Sequence, residues 1–362
     1  METNYNETEA TIILHLERFP DEVLLKILSF LDLADVLKCA QTSKRIRSIC
    51  QDESLWQNLN LNEKLVPTSF LEKVIVNGCK FLNLGDAEVI GDLKLENNSK
   101  LKYLNLLGGY SENNAFDEIL KSCHQLKNIS IDHRISFESL KMITSQNCQT
   151  LQVFDGWIRK MKLPTIQNIV KNCLELREIA IFGKKDCGIE CRLPQDAMEY
   201  FVNNLTSKIE KIDLGYQSNL EDVYFKTLVS RCTQLTELCL AHTQITNKSV
   251  TYIIKYLNST LEKLGLTCCI QIDYTALFEL KSMPRLKVLS FRHLERNSQQ
   301  ANELKMQLPN VNVNTTNEDP IIARSWQWDF KVTELFENSE HRFPDPDPDS
   351  SRNQDEVLFG FI

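Results

Sequence analysis

The stretch Leu101-Lys-Tyr-Leu-Asn-Leu106 decides the fold of this chain. Its pattern, Leu-x-x-Leu-x-Leu with Ile, Phe or Val sometimes replacing Leu, recurs about every 25 residues along the sequence. Seven further copies begin at Leu126, Leu151, Leu176, Ile209, Leu235, Leu261 and Leu286, and weaker copies begin at Cys79 and Leu308. The recurrence predicts one structural unit that is repeated and stacked along the chain.

Each repeat predicts one strand followed by one helix. Leu104 and Leu106 lie on one face of the predicted strand, while Tyr103 and Leu107 lie on the other. The segment 116–120 that follows has apolar residues at helical spacing. Such a unit cannot bury its own apolar face, so neighbours must stack. The chain is therefore predicted to be an α/β protein with a curved leucine-rich-repeat solenoid, in which a parallel sheet forms the concave face and helices lie outside. About ten repeats are expected over residues 63–313.

The N-terminal segment has a different organisation. Phe19-Pro-Asp-Glu-Val-Leu-Leu-Lys-Ile-Leu-Ser-Phe-Leu31 predicts a helix, because Pro20 suits a first turn and the acids that follow suit the positive end of the helix dipole. Apolar residues recur at spacings of three and four, which gives the helix one apolar face. Ser43 can cap a later helix, and Leu55 and Trp56 lie in a short last one. This segment predicts a small helical bundle in front of the repeats.

Residues 17–62 resemble an F-box in Phe19-Pro-Asp-Glu-Val-Leu24, in Cys39-Ala-Gln-Thr-Ser-Lys44 and in Leu55-Trp56. An F-box followed by such repeats resembles the F-box/leucine-rich-repeat proteins. The resemblance implies that the F-box binds a Skp-type adaptor, which joins it to a cullin and a RING protein in an SCF ubiquitin ligase. Matching positions give these candidates for the adaptor contact or its support: Pro20, Glu22, Val23, Leu24, Ile27, Leu28, Leu31 and Trp56.

On this resemblance the chain is a substrate-recognition subunit and has no catalytic residues of its own. The repeats would hold a protein substrate through their concave face while another enzyme transfers ubiquitin. The alternative is a non-catalytic interaction scaffold whose F-box complex does not transfer ubiquitin. No Gly-x-Ser-x-Gly, phosphate-binding loop or His-Glu-x-x-His pattern occurs in the sequence.

The concave face offers candidate substrate contacts. Large apolar side chains are predicted to face solvent there in the first half of the repeats: Phe81, Tyr103, Leu107, Trp157 and Phe182. Rigidly presented aromatic residues are typical anchors of protein interfaces. The open alternative is that the C-terminal segment, which has its own Trp and Phe residues, covers these side chains.

Four cysteines lie three residues before the first leucine of a repeat: Cys123, Cys148, Cys173 and Cys232. This regularity resembles the cysteine-containing subfamily of leucine-rich repeats. A metal site would need paired Cys or His ligands at short spacing, and the sequence has no Cys-x-x-Cys. The repeat cysteines are therefore predicted to be buried core residues, with no metal and no cofactor.

Charge and composition limit the remaining possibilities. The net charge of -8 argues against general nucleic-acid binding. Residues 315–362 contain eleven acids and four bases, so the segment 314–362 is predicted to be an acidic tail, and residues 1–15 a disordered leader. No signal peptide, membrane span or lipid anchor is expected. Twelve cysteines without a secretion signal predict reduced thiols in the cytoplasm, the nucleus or both.

Overall fold

The structure is a computed structural model that describes residues 18–31, 33–96, 98–157, 161–182, 192–291 and 298–314. The predicted leader and residues 315–362 of the predicted tail lie outside the described residues. Among the described residues, no helix is both long and apolar enough to span a bilayer.

The N-terminal segment forms three short helices and a turn of 3-10 helix. These are α1 (Asp21–Leu28), α2 (Leu33–Cys39), α3 (Lys44–Cys50) and the 3-10 helix Glu53–Trp56. The Ser43 hydroxyl caps α3 by accepting the Ile46 N–H at 3.2 Å, and the Asp52 carboxylate accepts the Ser54 N–H at 2.9 Å. Hydrogen bonds from Ser54 also lower the pKa of Asp52. Side-chain capping of this kind explains why these two short helices begin where they do.

Eleven parallel strands form one continuous sheet in the order β1-β3-β5-β7-β8-β9-β10-β11-β12-β13-β14. Its strands are β1 (Asn58–Asn60), β3 (Phe81–Asn83), β5 (Tyr103–Asn105), β7 (Asn128–Asp132), β8 (Val153–Trp157), β9 (Glu178–Ile181), β10 (Lys211–Asp213), β11 (Glu237–Cys239), β12 (Lys263–Gly265), β13 (Val288–Ser290) and β14 (Asn312–Asn314). Each strand pairs in register with the corresponding residues of the next repeat. The predicted parallel solenoid is confirmed, and the sheet begins with β1, inside the segment predicted as F-box.

A second, smaller sheet lies beside the first repeats. It consists of β2 (Leu65–Pro67), β4 (Glu88–Ile90) and β6 (Tyr110–Ser111), all parallel. Each of its strands follows a strand of the large sheet after a short turn. The sequence pattern gives no indication of this sheet, because its strands have only two or three residues.

Helices connect most successive strands of the large sheet. They are α4 (Thr68–Val76), α5 (Ala115–Ser122), α6 (Phe137–Gln146), α7 (Leu163–Asn172), α8 (Gln195–Asn204), α9 (Asp222–Arg231), α10 (Asn247–Leu257), the 3-10 helix Tyr274–Ser282 and α11 (Ser298–Gln307). The segment 91–102, between β4 and β5, has no helix among its described residues. The predicted alternation of strand and helix is therefore confirmed except in this early repeat.

One hydrophobic core runs through the F-box helices and the repeats without interruption. At the junction, the Trp56 indole packs edge-on against Phe70 of α4 at 6.1 Å between ring centroids, and its N–H donates to the Cys50 carbonyl at 2.7 Å. Lys100, from the repeats, lies 3.6 Å from the Glu53 carboxylate. Each fully buried leucine in such a core contributes about 1.5–3 kcal/mol. The F-box is thus packed onto the solenoid instead of being tethered to it.

Candidate functional site

Helix α1 has one buried and one exposed apolar face. Leu24 and Leu28 are buried in the core. Four large apolar side chains are exposed, Val23 and Ile27 on the helix and Phe19 and Phe30 just outside its ends, with exposed fractions of 40%, 39%, 45% and 59%. Monomeric proteins rarely leave adjacent large apolar residues in water unless a partner covers them. We call these four residues the α1 face.

The α1 face is held in place by α3. The Arg45 guanidinium donates to the Asp21 carboxylate at 2.9 Å and to the Phe19 carbonyl at 2.7 Å, so it ties the start of α1 to α3. A fixed presentation reduces the conformational entropy that binding would cost.

The predicted adaptor residues divide between the two sides of α1. Pro20, Glu22, Val23 and Ile27 are exposed, and Leu31 is half-buried. Leu24, Leu28 and Trp56 are buried, so in this chain they can only support the surface and cannot contact an adaptor directly. The helical period explains the division, because residues four apart lie on the same side. Phe19 and Phe30 are not among the predicted residues, although their positions beside the apolar run could have indicated them.

The concave face is the side of the large sheet that faces away from the helices, and its outward side chains form two rows across the strands. The first row aligns Asn58, Phe81, Tyr103, Asn128, Val153, Glu178, Lys211, Glu237, Lys263, Val288 and Asn312. The second row aligns Asn60, Asn83, Asn105, Ser130, Asp155, Ala180, Asp213, Cys239, Gly265 and Ser290. Strands about 4.8 Å apart bring neighbours within a row into contact.

Near the start of the sheet, the first row contains a pair of aromatic residues and the second row contains three asparagines. Phe81 packs against Tyr103 with 5.9 Å between ring centroids. Beside this pair, Asn105 donates to Asn83 and Asn83 donates to Asn60, each at 2.8 Å. The asparagine ladder orients its side chains in one direction. Three asparagines at the same repeat position could have indicated it from the sequence.

In the second half, the first row is an alternating ladder of charge. The Lys211 ammonium lies 3.8 Å from Glu178 and 3.4 Å from Glu237, and the Lys263 ammonium lies 3.2 Å from Glu237. These side chains are mostly buried, with exposed fractions of 10–24%. Opposite charges directly across neighbouring strands stabilise a sheet modestly. The ladder neutralises most of its own charge and offers little net field to a partner.

A buried carboxyl group lies where the two halves meet. Burial, together with the nearby Asp213 carboxylate, raises the pKa of Asp155 to about 8, although a hydrogen bond from Ser130 at 3.3 Å opposes the shift. Within the part of the chain that the structure describes, the Oδ1 atom of Asp155 accepts no hydrogen bond. This side chain is therefore largely protonated at neutral pH.

The predicted substrate residues differ in how exposed their side chains are. Tyr103 and Phe182 are partly exposed, as predicted. The prediction that Phe81 and Leu107 face solvent is wrong, because their exposed fractions are only 3% and 9%. Phe81 is packed against Tyr103, and Leu107 follows the strand in a turn where its N–H donates to Asn105. Trp157 ends β8, where its backbone is aligned with Asp132 of β7, and its side chain lies outside the described residues. Their role in binding stays a prediction.

The repeat cysteines are core residues. Cys123, Cys173 and Cys232 are fully buried, as predicted, while Cys148 is half-buried. Burial raises the pKa of Cys123 to about 11 and the pKa of Cys173 and Cys232 to about 12. The Cys123 thiol donates to the Ile119 carbonyl at 3.1 Å. Within the described ranges, no group of three His, Cys, Asp or Glu side chains is placed to hold a metal ion.

Comparison with known families agrees with this architecture. Residues 16–62 match the family described as F-box-like, and residues 69–337 match the family described as the SKP2 LRR domain. The F-box only protein 36 of Homo sapiens is 43% identical over 44 residues, which is 12% of this chain and 23% of that protein. The protein of the same name from Mus musculus is 40% identical over 45 residues, 12% of this chain and 24% of that protein. The chain thus matches about a quarter of the length of these relatives.

Two solved structures have weaker likenesses. A chain of the yeast Rad7 and Elc1 complex superposes with a TM-score of 0.45 at 11% identity, covering 87% of this chain and 99% of that one. An internalin, InlF, of Listeria monocytogenes gives a TM-score of 0.38 at 14% identity, covering 74% and 83%. At these scores the likenesses carry no functional argument. The match to the SKP2 LRR domain spans more than half of the 362 residues, and with the F-box-like domain in front of it this chain belongs to the F-box/leucine-rich-repeat proteins.

Proposed function

We propose that this chain is the substrate-recognition subunit of an SCF-type ubiquitin ligase, acting in the cytoplasm, the nucleus or both. The α1 face binds a Skp-type adaptor, and through it a cullin and a RING protein. The concave face of the repeats binds a protein substrate. The chain supplies proximity and orientation, while a separate enzyme supplies the reactive group.

The single observation that carries the proposal is the α1 face. It leaves four large apolar side chains in water on an F-box whose own core is complete. Covering them would remove apolar surface at about 25 cal/mol per Å². The continuous core from F-box to repeats supports the second part of the proposal, because a rigidly packed solenoid would hold a bound substrate at a fixed distance from the adaptor.

Co-purification with a Skp-type adaptor tests the first contact. Val23→Asp with Ile27→Asp places two carboxylates in the α1 face, and we expect it to abolish adaptor binding without unfolding the chain. Leu174→Asp with Val223→Asp is the matched control, because these two side chains are also exposed but lie on the repeats. Retained binding by the α1 variant, or equal loss in the control, would contradict the proposal.

Adding a cullin and a RING protein distinguishes a ligase subunit from an interaction scaffold. A ligase subunit should recruit the cullin through the adaptor and support ubiquitin transfer to a bound protein. Binding of the adaptor without recruitment of the cullin would instead favour the interaction scaffold.

A further inference from the structure

The small sheet of β2, β4 and β6 has an apolar face that no other described segment of the chain covers. Leu65, Glu88 and Tyr110 are aligned across the three strands, and Pro67 is aligned with Ile90. Alternation along the strands turns Val66 and Val89 into the core, where both are buried. The other face leaves Ile90 38% exposed and Tyr110 49% exposed, beside half-buried Leu65 and Pro67. We call this outer side the small-sheet face.

The small-sheet face is confined to the first repeats. In the described part of the chain, no strand extends this sheet beyond β6. The Arg134 guanidinium donates to the Gly108 carbonyl at 2.6 Å and also to the Gly109 carbonyl. These carbonyls immediately precede β6, so an arginine lies where a further repeat would otherwise continue the pattern. The later repeats stack through the large sheet, and none of their described strands belongs to the small sheet. Stacking of the repeats therefore does not require the small-sheet face.

Carboxylates lie within and around the apolar centre of the small-sheet face, and Glu88 on the middle strand is aligned between Leu65 and Tyr110. The segments 63–67, 86–96 and 108–112 contain six acids and two lysines, a formal charge of -4. Glu63, Asp86, Glu88 and Glu112 are exposed. Within the described residues, neither Glu88 nor Glu112 forms an ion pair. Exposed apolar side chains that lie among uncompensated carboxylates favour a partner segment that is both apolar and basic.

The dimensions favour a peptide segment over a folded domain. The apolar centre extends over two strand spacings, which is about 10 Å. An extended chain covers that distance with about three residues. A stable contact between two folded surfaces needs about 800 Å² from each partner, well beyond this centre. Tyr110 lies on the outer strand β6, and tyrosine is a frequent anchor residue of protein interfaces.

We propose that the small-sheet face is a docking site for a basic peptide segment of a partner protein. An apolar side chain of the segment packs against Ile90 and Tyr110, and flanking Lys or Arg side chains pair with Glu88 and Glu112. This site goes beyond the proposed function, because it is distinct from both the α1 face and the concave face.

Fluorescence anisotropy with a defined probe tests the proposal on the full chain. The probe is the fluorescein-labelled hexapeptide Arg-Lys-Leu-Phe-Arg-Lys, and its analogue with Ser-Ser in place of Leu-Phe keeps the same charge. We expect the probe to bind at least about tenfold more tightly than the analogue, because only the probe fills the apolar centre. No measurable binding of the probe, or equal binding of both peptides, would overturn the proposal.

A matched pair of variants locates the site. Glu88→Gln with Tyr110→Ser removes one acid and one exposed apolar side chain from the small-sheet face, and should weaken probe binding at least about tenfold. Glu199→Gln with Val223→Ser makes the same two changes on the helical side and should change binding by less than about twofold. Equal weakening by both variants would mean nonspecific attraction to an acidic protein and would overturn the proposal. Adaptor binding should persist in both variants, so failure here is distinguishable from failure of the ligase function.

Discussion

Helices α1 and α7 differ in how completely their apolar side chains are buried. In α7, the apolar residues Ile166, Ile169 and Val170 are all buried by the neighbouring repeats. In α1, Leu24 and Leu28 are buried while Val23 and Ile27 remain in water. A repeat helix is covered on its apolar side by the stack itself, whereas α1 has more exposed apolar surface than the described residues cover. This difference is what we expect if α1 binds a partner, as proposed above.

The largest expected effect contrasts two isoleucines, one from each helix. Ile169→Ala leaves a cavity in a fully packed layer, so we expect the free energy of unfolding to fall by about 2–5 kcal/mol. Ile27→Ala removes a side chain that already contacts water, so the change should stay within about 0.5 kcal/mol. Urea denaturation of both variants measures the contrast. Similar losses for the two would remove the distinction between the helices.

Asp155 differs from the buried apolar residues, because burial destabilises the charged form of its carboxyl group. The folded chain holds a proton at this group more tightly than the unfolded chain does, since its pKa is raised to about 8. The free energy of unfolding should therefore fall as pH rises from about 4 to about 8, with no further change through this group above that.

Asp155→Asn should remove this dependence, because an amide does not titrate. We expect the variant to be more stable than the original chain at pH 8.5, where the original buries an ionised carboxylate, and to gain less at pH 5, where the original buries a neutral one. Denaturation at pH 5 and pH 8.5 measures the slope. An unchanged slope would mean that Asp155 titrates normally.

Trp56 tests whether the F-box and the repeats unfold as one unit. Trp56→Phe loses the hydrogen bond to the Cys50 carbonyl and part of the contact with Phe70, so a loss of about 1–3 kcal/mol is expected. A double-mutant cycle with Phe70→Leu should give a coupling of about 0.5–1.5 kcal/mol. Calorimetry should show a single unfolding transition for the F-box and the repeats together. Two separate transitions would mean that the F-box is only tethered.

The charge ladder should give the smallest effect. Glu237→Gln removes the carboxylate shared by Lys211 and Lys263, and we expect a loss below about 1 kcal/mol that shrinks further at high salt. Thermal melts at low and high salt measure it. A loss comparable to that of Ile169→Ala would show that the ladder, not the apolar layer, holds these repeats together.

The repeated pattern predicted the solenoid because each inner leucine must be buried whatever the loops do. The same pattern covers β1, because Trp56-Gln-Asn-Leu-Asn-Leu61 repeats it with Trp in the first position, but Leu55 and Trp56 were assigned to the F-box instead. It also placed Phe81 and Leu107 in solvent, because alternation gives the side of a strand but not what packs beside it. Contacts such as Asn83 to Asn105 depend on register across 22 residues, which loop geometry sets.

The proposed adaptor surface follows from the resemblance to the F-box, but the resemblance does not indicate which of its residues are buried. Eight candidate residues included Leu24, Leu28 and Trp56, which the core absorbs. Phe19 and Phe30 were missed because they lie just outside the helix, where the apolar spacing of α1 says nothing about exposure. Packing against α3 decides which apolar residues of α1 remain for a partner.

Hydrogen exchange of the full chain with and without a Skp-type adaptor tests the central claim most directly. Adaptor binding should slow exchange of amides in residues 19–31, because covering the α1 face opposes local opening of this helix. Amides of α9, on the helical side of the repeats, should be unchanged. Unchanged exchange in residues 19–31, or slowing confined to the repeats, would contradict the assignment of the α1 face as the adaptor surface.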